Sequence, residues 1–202
     1  MQDNVVVAVT GASGSLYALR TIRALLIQNV HVHLILSDYA KVVINEEYQI
    51  DFNFSLPLLG QIKKLFGLDD ENGRMTEYSL KNQAAAISSG SFKTKGMIVV
   101  PCSMKTLSGI ANGFSSNLIE RSADVMLKER RPLIVVARET PLSLIHLENM
   151  TNLTKAGGII LPAMPAFYQH PKTLDDLGDF IAGRALSLLG YDHSLFTTWT
   201  GK

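Results

Sequence analysis

Val5-Val6-Val7-Ala8-Val9-Thr10-Gly11-Ala12-Ser13-Gly14-Ser15 carries the chain from an unbroken apolar run, through a turn of small residues, into a helix. The run does not alternate, so it suits a strand covered on both faces, the condition of a parallel sheet held between two helical layers. Residues 15–28 follow with apolar side chains at 16, 19, 22, 25 and 26, which is one face of a helix. The same pairing recurs outward along the chain. Apolar runs at 32–37, 97–101, 133–138 and 159–162 predict four more strands. Helical patterns occupy 118–130 and 174–189, the latter with Asp175 and Asp176 in its first turn, where carboxylates suit the helix dipole. Five strands interleaved with helices predict a three-layer α/β/α sandwich around a parallel sheet. With 202 residues and 47% hydrophobic content, one core and a single domain over 1–202 are expected.

Residues 51–82 break the rhythm. They contain the polar turn Asp69-Asp70-Glu71-Asn72-Gly73 with no long apolar strand on either side, and read as an excursion from the sheet. Phe52, Phe54, Leu56, Leu58 and Leu59 lack an evident partner in such an excursion, which points to cover by neighbouring subunits and so to a homo-oligomer.

Composition excludes several function classes. Nineteen Lys and Arg against 18 Asp and Glu leave a formal charge of +1, no global field for nucleic acid or an anionic membrane. The first residues lack the basic and long apolar regions of a signal peptide, and no segment is apolar for the length of a membrane span, so a soluble cytoplasmic protein is expected. Cys102 is the only cysteine, which rules out an intramolecular disulfide framework and suits a reducing compartment. It reads as a buried small residue rather than a nucleophile, since no base is at hand. His31 and His33 alternate along a strand, and His146, His170 and His193 are scattered without an acid or cysteine at ligand spacing, so no metal is expected.

Ligands of an open parallel sheet bind beyond the carboxyl ends of its strands. Those positions here are small, hydroxylated or ionic: residues 10–15 after the first strand, Ser37 after the second, Cys102-Ser103-Met104-Lys105-Thr106 after the third and Arg138-Glu139-Thr140 after the fourth. Glycines let the backbone approach an anion, and the following helix offers free N–H groups. The turn departs from the G-x-G-x-x-G spacing, and Ser37 rather than an acid ends the second strand, which favours a mononucleotide such as FMN over NAD. Ser88-Ser89-Gly90-Ser91 offers donors ahead of the third strand, for a heterocycle edge or a phosphate, or is an ordinary loop. Arg121, Asp124 and Lys128 share a helical face, a pattern common on solvated surfaces. Arg138-Glu139 sets a charged pair at the end of an apolar strand, where burial would tune a carboxylic acid for proton transfer; a structural ion pair is the plainer reading. Tyr168 and Arg184 can clamp a phosphate where the fold brings them together, and Trp199 can cover an aromatic ligand or anchor the tail.

Taken in order, these loops together with Leu127-Lys128-Glu129-Arg130-Arg131-Pro132-Leu133 and Pro165-Ala166-Phe167-Tyr168 resemble the UbiX family of flavin prenyltransferases, from the first strand to the last helix and with residues 51–82 excepted. The resemblance implies a flavodoxin-like (Rossmann-like) fold, a homododecamer with active sites at subunit contacts, and a place in ubiquinone biosynthesis. It implies FMN held by Gly11, Ala12, Ser13, Ser37, Ser89, Ser103, Met104, Lys105, Thr106 and Arg138. It implies dimethylallyl phosphate held by Tyr168 and Arg184, with Lys128, Arg121 and Arg138 assisting across subunits and Trp199 shielding the site. Glu139 would be the acid or base, with Glu47 and Ser13 as secondary candidates. The implied reaction joins N5 of reduced FMN to the allylic carbon as phosphate leaves, closes a fourth ring at C6, needs no metal, and supplies prenylated FMN to a partner decarboxylase. Ser15 stands where the family often has alanine. Two other readings stay open. An FMN-dependent decarboxylase of the cysteine-decarboxylase type has no need of the Tyr168–Arg184 clamp, and a non-catalytic flavin carrier has no need of Glu139.

Overall fold

The structure is a computed structural model that describes residues 3–48 and 50–201. A six-stranded sheet is built from β1 (Asn4–Val9), β2 (His31–Leu36), β3 (Arg74–Tyr78), β4 (Gly96–Cys102), β5 (Leu133–Ala137) and β6 (Ile159–Ile160). The helices are α1 (Ser15–Ile27), α2 (Asp38–Tyr48), α3 (Leu58–Phe66), α4 (Met104–Ala111), α5 (Leu118–Lys128), α6 (Leu144–Lys155) and α7 (Leu174–Leu188). Neighbouring strands are all parallel, in the order β3-β2-β1-β4-β5-β6.

Alternate residues of β1 feed two cores. Val5, Val7 and Val9 pack with Leu19, Ile22 and Ile181 of α1 and α7, whereas Val6 and Ala8 pack with Leu107, Ile119 and Leu153 of α4, α5 and α6. Both faces of the strand are therefore dry, which is why its apolar run is continuous. The expected α/β/α sandwich is the observed one, and the predicted helices 15–28, 118–130 and 174–189 correspond to α1, α5 and α7.

The excursion reading of residues 51–82 is corrected. This stretch supplies α3 and the edge strand β3, which pairs with β2 from His31↔Arg74 to Ile35↔Tyr78. Phe52 and Leu58 are buried inside the chain, Phe54 and Leu59 pack on the same core, and of the five only Leu56 is well exposed. Cover by another subunit is not needed to explain them. Without β3, the remaining strands follow the flavodoxin-like order, with β1 between β2 and β4; the excursion extends that sheet at one edge. From β1 the chain winds outward through β2 and β3, then crosses back to β4, so the winding reverses between β1 and β4 and opens a crevice at their carboxyl ends.

Candidate active site

Thr10 sets the geometry of the crevice. Its buried hydroxyl donates to the Pro101 carbonyl at 2.8 Å and accepts from the Ser103 N–H at 2.8 Å, tying the turn after β1 to the start of α4. On either side, the Ser37 N–H donates to the Val9 carbonyl at 3.0 Å and the Arg138 N–H to that of Cys102 at 3.2 Å. The loops after β2, β1, β4 and β5 thus form one row. Gly11, Ser13, Lys105 and Arg138 are exposed along it, Ser37 and Ser103 half-buried, and Ala12 and Met104 buried beneath. A Cβ on Gly11 would lie 2.4 Å from Cβ of Tyr39, so the turn closes against α2 only with glycine there.

The N-terminus of α1 is already occupied by an anion. Gly14, at φ +106°, presents its N–H to Glu47 Oε1 at 2.9 Å, and Ser15 gives both its N–H, at 2.7 Å, and its hydroxyl, at 2.6 Å, to Oε2. Burial raises the Glu47 pKa, but the hydroxyls of Ser13 and Ser15 and the two N–H groups outweigh it and hold the carboxyl below its ordinary range. Tyr17 lies between this group and Arg138: burial raises its pKa, the Arg138 guanidinium opposes that rise and Glu47 adds to it. With α1 capped by Glu47, the other helix start on the row is that of α4, where the Ser103 hydroxyl caps the Thr106 N–H at 3.4 Å and Lys105 stands exposed.

Arg138 and Glu139 do not pair. Arg138 is exposed, and the half-buried Glu139 carboxylate accepts the Thr140 N–H at 3.0 Å instead; among the described residues no ion pair joins the two. The reading of the two as a structural ion pair is corrected, because successive side chains at a strand end diverge. Tyr168 packs edge-on against Phe180 of α7, with ring centroids 6.2 Å apart, and against Trp199 at 5.6 Å. Arg184 lies one turn beyond Phe180 on the same helix and is exposed, which puts it on the face of α7 that Tyr168 packs against. Trp199 is 63% exposed, and a cavity of about 180 Å³ opens between Tyr168, Gln169 and residues 197–200.

The remaining expected residues sit at the other end of the sheet. Ser89 lies in the loop that enters β4, and Lys128 ends the helix that leads into β5, both at the amino edge. Six residues of β1 separate the two edges, about 20 Å at strand rise. Arg121 donates through Nε to the Ser88 carbonyl at 3.2 Å and pairs with Asp124 at 2.7 Å, while the Lys128 ammonium pairs with Glu129 at 2.5 Å. One chain therefore brings together the carboxyl-edge residues but not Ser89, Arg121 and Lys128.

Three residues escaped the sequence reading in these roles. Thr10 was visible only as part of a loop and Arg131 as part of a basic run, while Tyr39 was not singled out at all. Arg131 donates to the carbonyls of Phe92 and Gly90, both at 2.6 Å, and so fixes the serine loop. Among the described residues no group of three His, Cys, Asp or Glu side chains is placed to hold a metal ion, and no helix is long and apolar enough to cross a membrane. Cys102 is fully buried, and burial raises its thiol pKa far above the ordinary value.

Comparison with known proteins agrees with this geometry. Residues 1–186 match the flavoprotein family. The flavin prenyltransferase UbiX of Alkalihalophilus pseudofirmus is 51% identical over 96% of this chain and 94% of its own length. The crystal structure of AnUbiX (PadA1) in complex with FMN and dimethylallyl pyrophosphate superposes with a TM-score of 0.87 over the whole of both chains, at 44% identity. The dodecameric FMN-dependent UbiX-like decarboxylase of Escherichia coli O157:H7 gives 0.83 at 42% identity, over 98% of this chain and all of the other. Taken with the glycine turn, the α4 start and the Tyr168–Trp199 cluster, these matches place the chain in the flavoprotein family, among the UbiX-type flavin prenyltransferases.

Proposed function

We propose that this protein transfers the dimethylallyl group of dimethylallyl phosphate to reduced FMN. The observation that carries the reading is the single row of exposed donors from Gly11 to Arg138 at the point where the sheet winding reverses, the position in which an open α/β sheet receives a mononucleotide. The flavin phosphate is held at the first turn of α4 by Ser103, Met104, Lys105 and Thr106, and the ring system lies along Gly11, Ala12, Ser13, Ser37 and Arg138. Tyr168 and Arg184 bind the phosphate of the prenyl donor. Their hydrogen bonds strengthen as negative charge collects on the leaving group, which is what lowers the barrier.

In the proposed reaction the allylic C–O bond breaks with its electron pair leaving on phosphate, the allylic carbon bonds to N5 as the N5 proton leaves, and the alkene takes a proton at its CH carbon so that its tertiary carbon bonds to C6, which loses its proton and closes the fourth ring. Glu139 moves the protons these steps require, with Ser13 and Glu47 as secondary candidates. Ser89, Arg121 and Lys128 act from the amino edge of a neighbouring subunit in a homo-oligomer, taken here as a dodecamer like that of the E. coli relative. The product serves a decarboxylase that uses prenylated FMN, in the cytoplasm and in ubiquinone biosynthesis.

The test is anaerobic incubation of the protein with reduced FMN and dimethylallyl phosphate, followed by mass analysis of the released flavin and assay of inorganic phosphate. A flavin heavier by one five-carbon unit is expected, and Glu139→Gln is expected to lower its rate of formation by roughly a hundredfold or more while leaving FMN binding intact. Tightly bound but unmodified FMN in the wild-type protein would overturn the reading in favour of a carrier.

A further inference from the structure

Glu47 is the most heavily solvated carboxylate of the crevice, and its solvation comes from the protein. Ser15 supplies two of the donors, N–H and hydroxyl, both to Oε2, and Ser15 itself is 1% exposed. A hydroxyl so buried has no water to turn to, so its hydrogen bond is directed at one acceptor. Gly14 donates from a left-handed backbone to both oxygens, at 2.9 Å to Oε1 and 3.0 Å to Oε2. The carboxylate is thus locked in orientation at the start of α1, next to the exposed Ser13 in the turn after β1.

We propose that Ser15 is a positioning residue for the prenyl-transfer reaction, fixing the orientation of the Glu47 carboxylate at the start of α1. The inference rests on the proposed function for its catalytic meaning, but the coupling between Ser15 and Glu47 stands on geometry. Alanine at this position, frequent in the resembling family, keeps the N–H and removes only the hydroxyl. Losing one short bond to the charged form makes Glu47 more basic. The groups that bear on its titration are Tyr17 of α1, with Arg138 beyond it after β5, and Tyr48 of α2 itself, which also feels Arg20, Asp175 and Asp179 where α1 meets α7. None of them changes in the alanine variant.

The experiment compares wild type with Ser15→Ala, Ser15→Thr and Glu47→Gln. Prenyl transfer is followed against pH, and the Glu47 carboxyl carbon is titrated by NMR in the flavin-free protein, with Glu47→Gln identifying its resonance. In Ser15→Ala the carboxyl titration and the acid limb of the rate profile are expected to move together to higher pH, by about one unit. Ser15→Thr retains the hydroxyl and is expected to titrate as wild type. Adding Ser15→Ala to Glu47→Gln should leave the remaining pH profile unmoved. A Ser15→Ala protein with a lowered melting temperature but unchanged titration and acid limb would reduce Ser15 to a helix cap and overturn the proposal. Should the wild-type protein fail to prenylate FMN, the carboxyl titration alone still decides: a shift upholds the Ser15–Glu47 coupling although the functional reading has failed, and no shift overturns both.

Discussion

His33 shows how a single side chain can make the fold sensitive to pH without any part in the site. It is 3% exposed, between β1 and β3, with Nε2 3.0 Å from the side-chain Oδ1 of Asn4 and Nδ1 2.9 Å from the Tyr78 hydroxyl. The Asn4 amide nitrogen donates to the Lys93 carbonyl at 3.3 Å, so its oxygen must accept from Nε2–H, and Tyr78 must donate to Nδ1. The neutral imidazole therefore satisfies every partner. Burial, with the nearby charge of His31 adding to it, pushes the His33 pKa down from 6.5 to about 4. Between those values the unfolded chain carries a proton here that the folded chain does not, so stability is full above about pH 6.5 and is lost as pH falls toward 4. The slope from this one proton approaches about 1.4 kcal/mol per pH unit. His33→Gln, which can donate to Asn4 and accept from Tyr78 without titrating, is expected to flatten that limb in urea denaturation measured at successive pH values. An unchanged limb would assign it to other groups.

At the scale of elements, the crevice depends on Thr10 joining β1 to α4. Thr10→Val keeps the buried shape but leaves the Ser103 N–H without its acceptor and breaks the hydroxyl bond to Pro101. A loss of about 1–3 kcal/mol in unfolding free energy is expected. FMN affinity, read by flavin fluorescence, should fall more than the stability loss alone explains, because two loops of the proposed flavin site come uncoupled. The strands that carry these loops were legible in the sequence because burial on both faces forces an unbroken apolar run, and the loops were legible because they begin where the runs end. β3 was not, since Arg74-Met75-Thr76-Glu77-Tyr78 lies at a half-solvated edge and carries no such run. α6 was missed for a related reason: Leu144, Ile145 and Leu147 are exposed, so its apolar residues do not trace one buried stripe. The Glu47 cap was equally invisible to spacing, since it spans 32 residues and depends on how α2 is set against α1. Arg138 and Glu139 mark the opposite error, neighbours in sequence that the strand end turns apart.

For the whole molecule, the separation of the site residues between two edges of the sheet becomes a statement about assembly. Gly11, Lys105, Arg138 and Glu139 lie at the carboxyl edge, Ser89 and Lys128 about 20 Å away at the amino edge, and no hinge inside a doubly wound sheet can close that gap. If both sets act on one ligand, two chains must contribute. Lys128→Ala and Glu139→Gln, each purified alone, are expected to be strongly impaired in prenyl transfer. Co-expressed and co-purified as mixed oligomers, they should regain activity, since some sites then combine an intact amino edge from one chain with an intact carboxyl edge from another. For random mixing in equal amounts, roughly a quarter of the sites are restored. A site complete within one chain would show no recovery, because every chain in the mixture carries one of the two lesions. The exposure of Gly11, Ser13, Lys105 and Arg138 in the single chain favours the first outcome, since the proposed allylic cation needs a dry pocket and a second chain would cover this row.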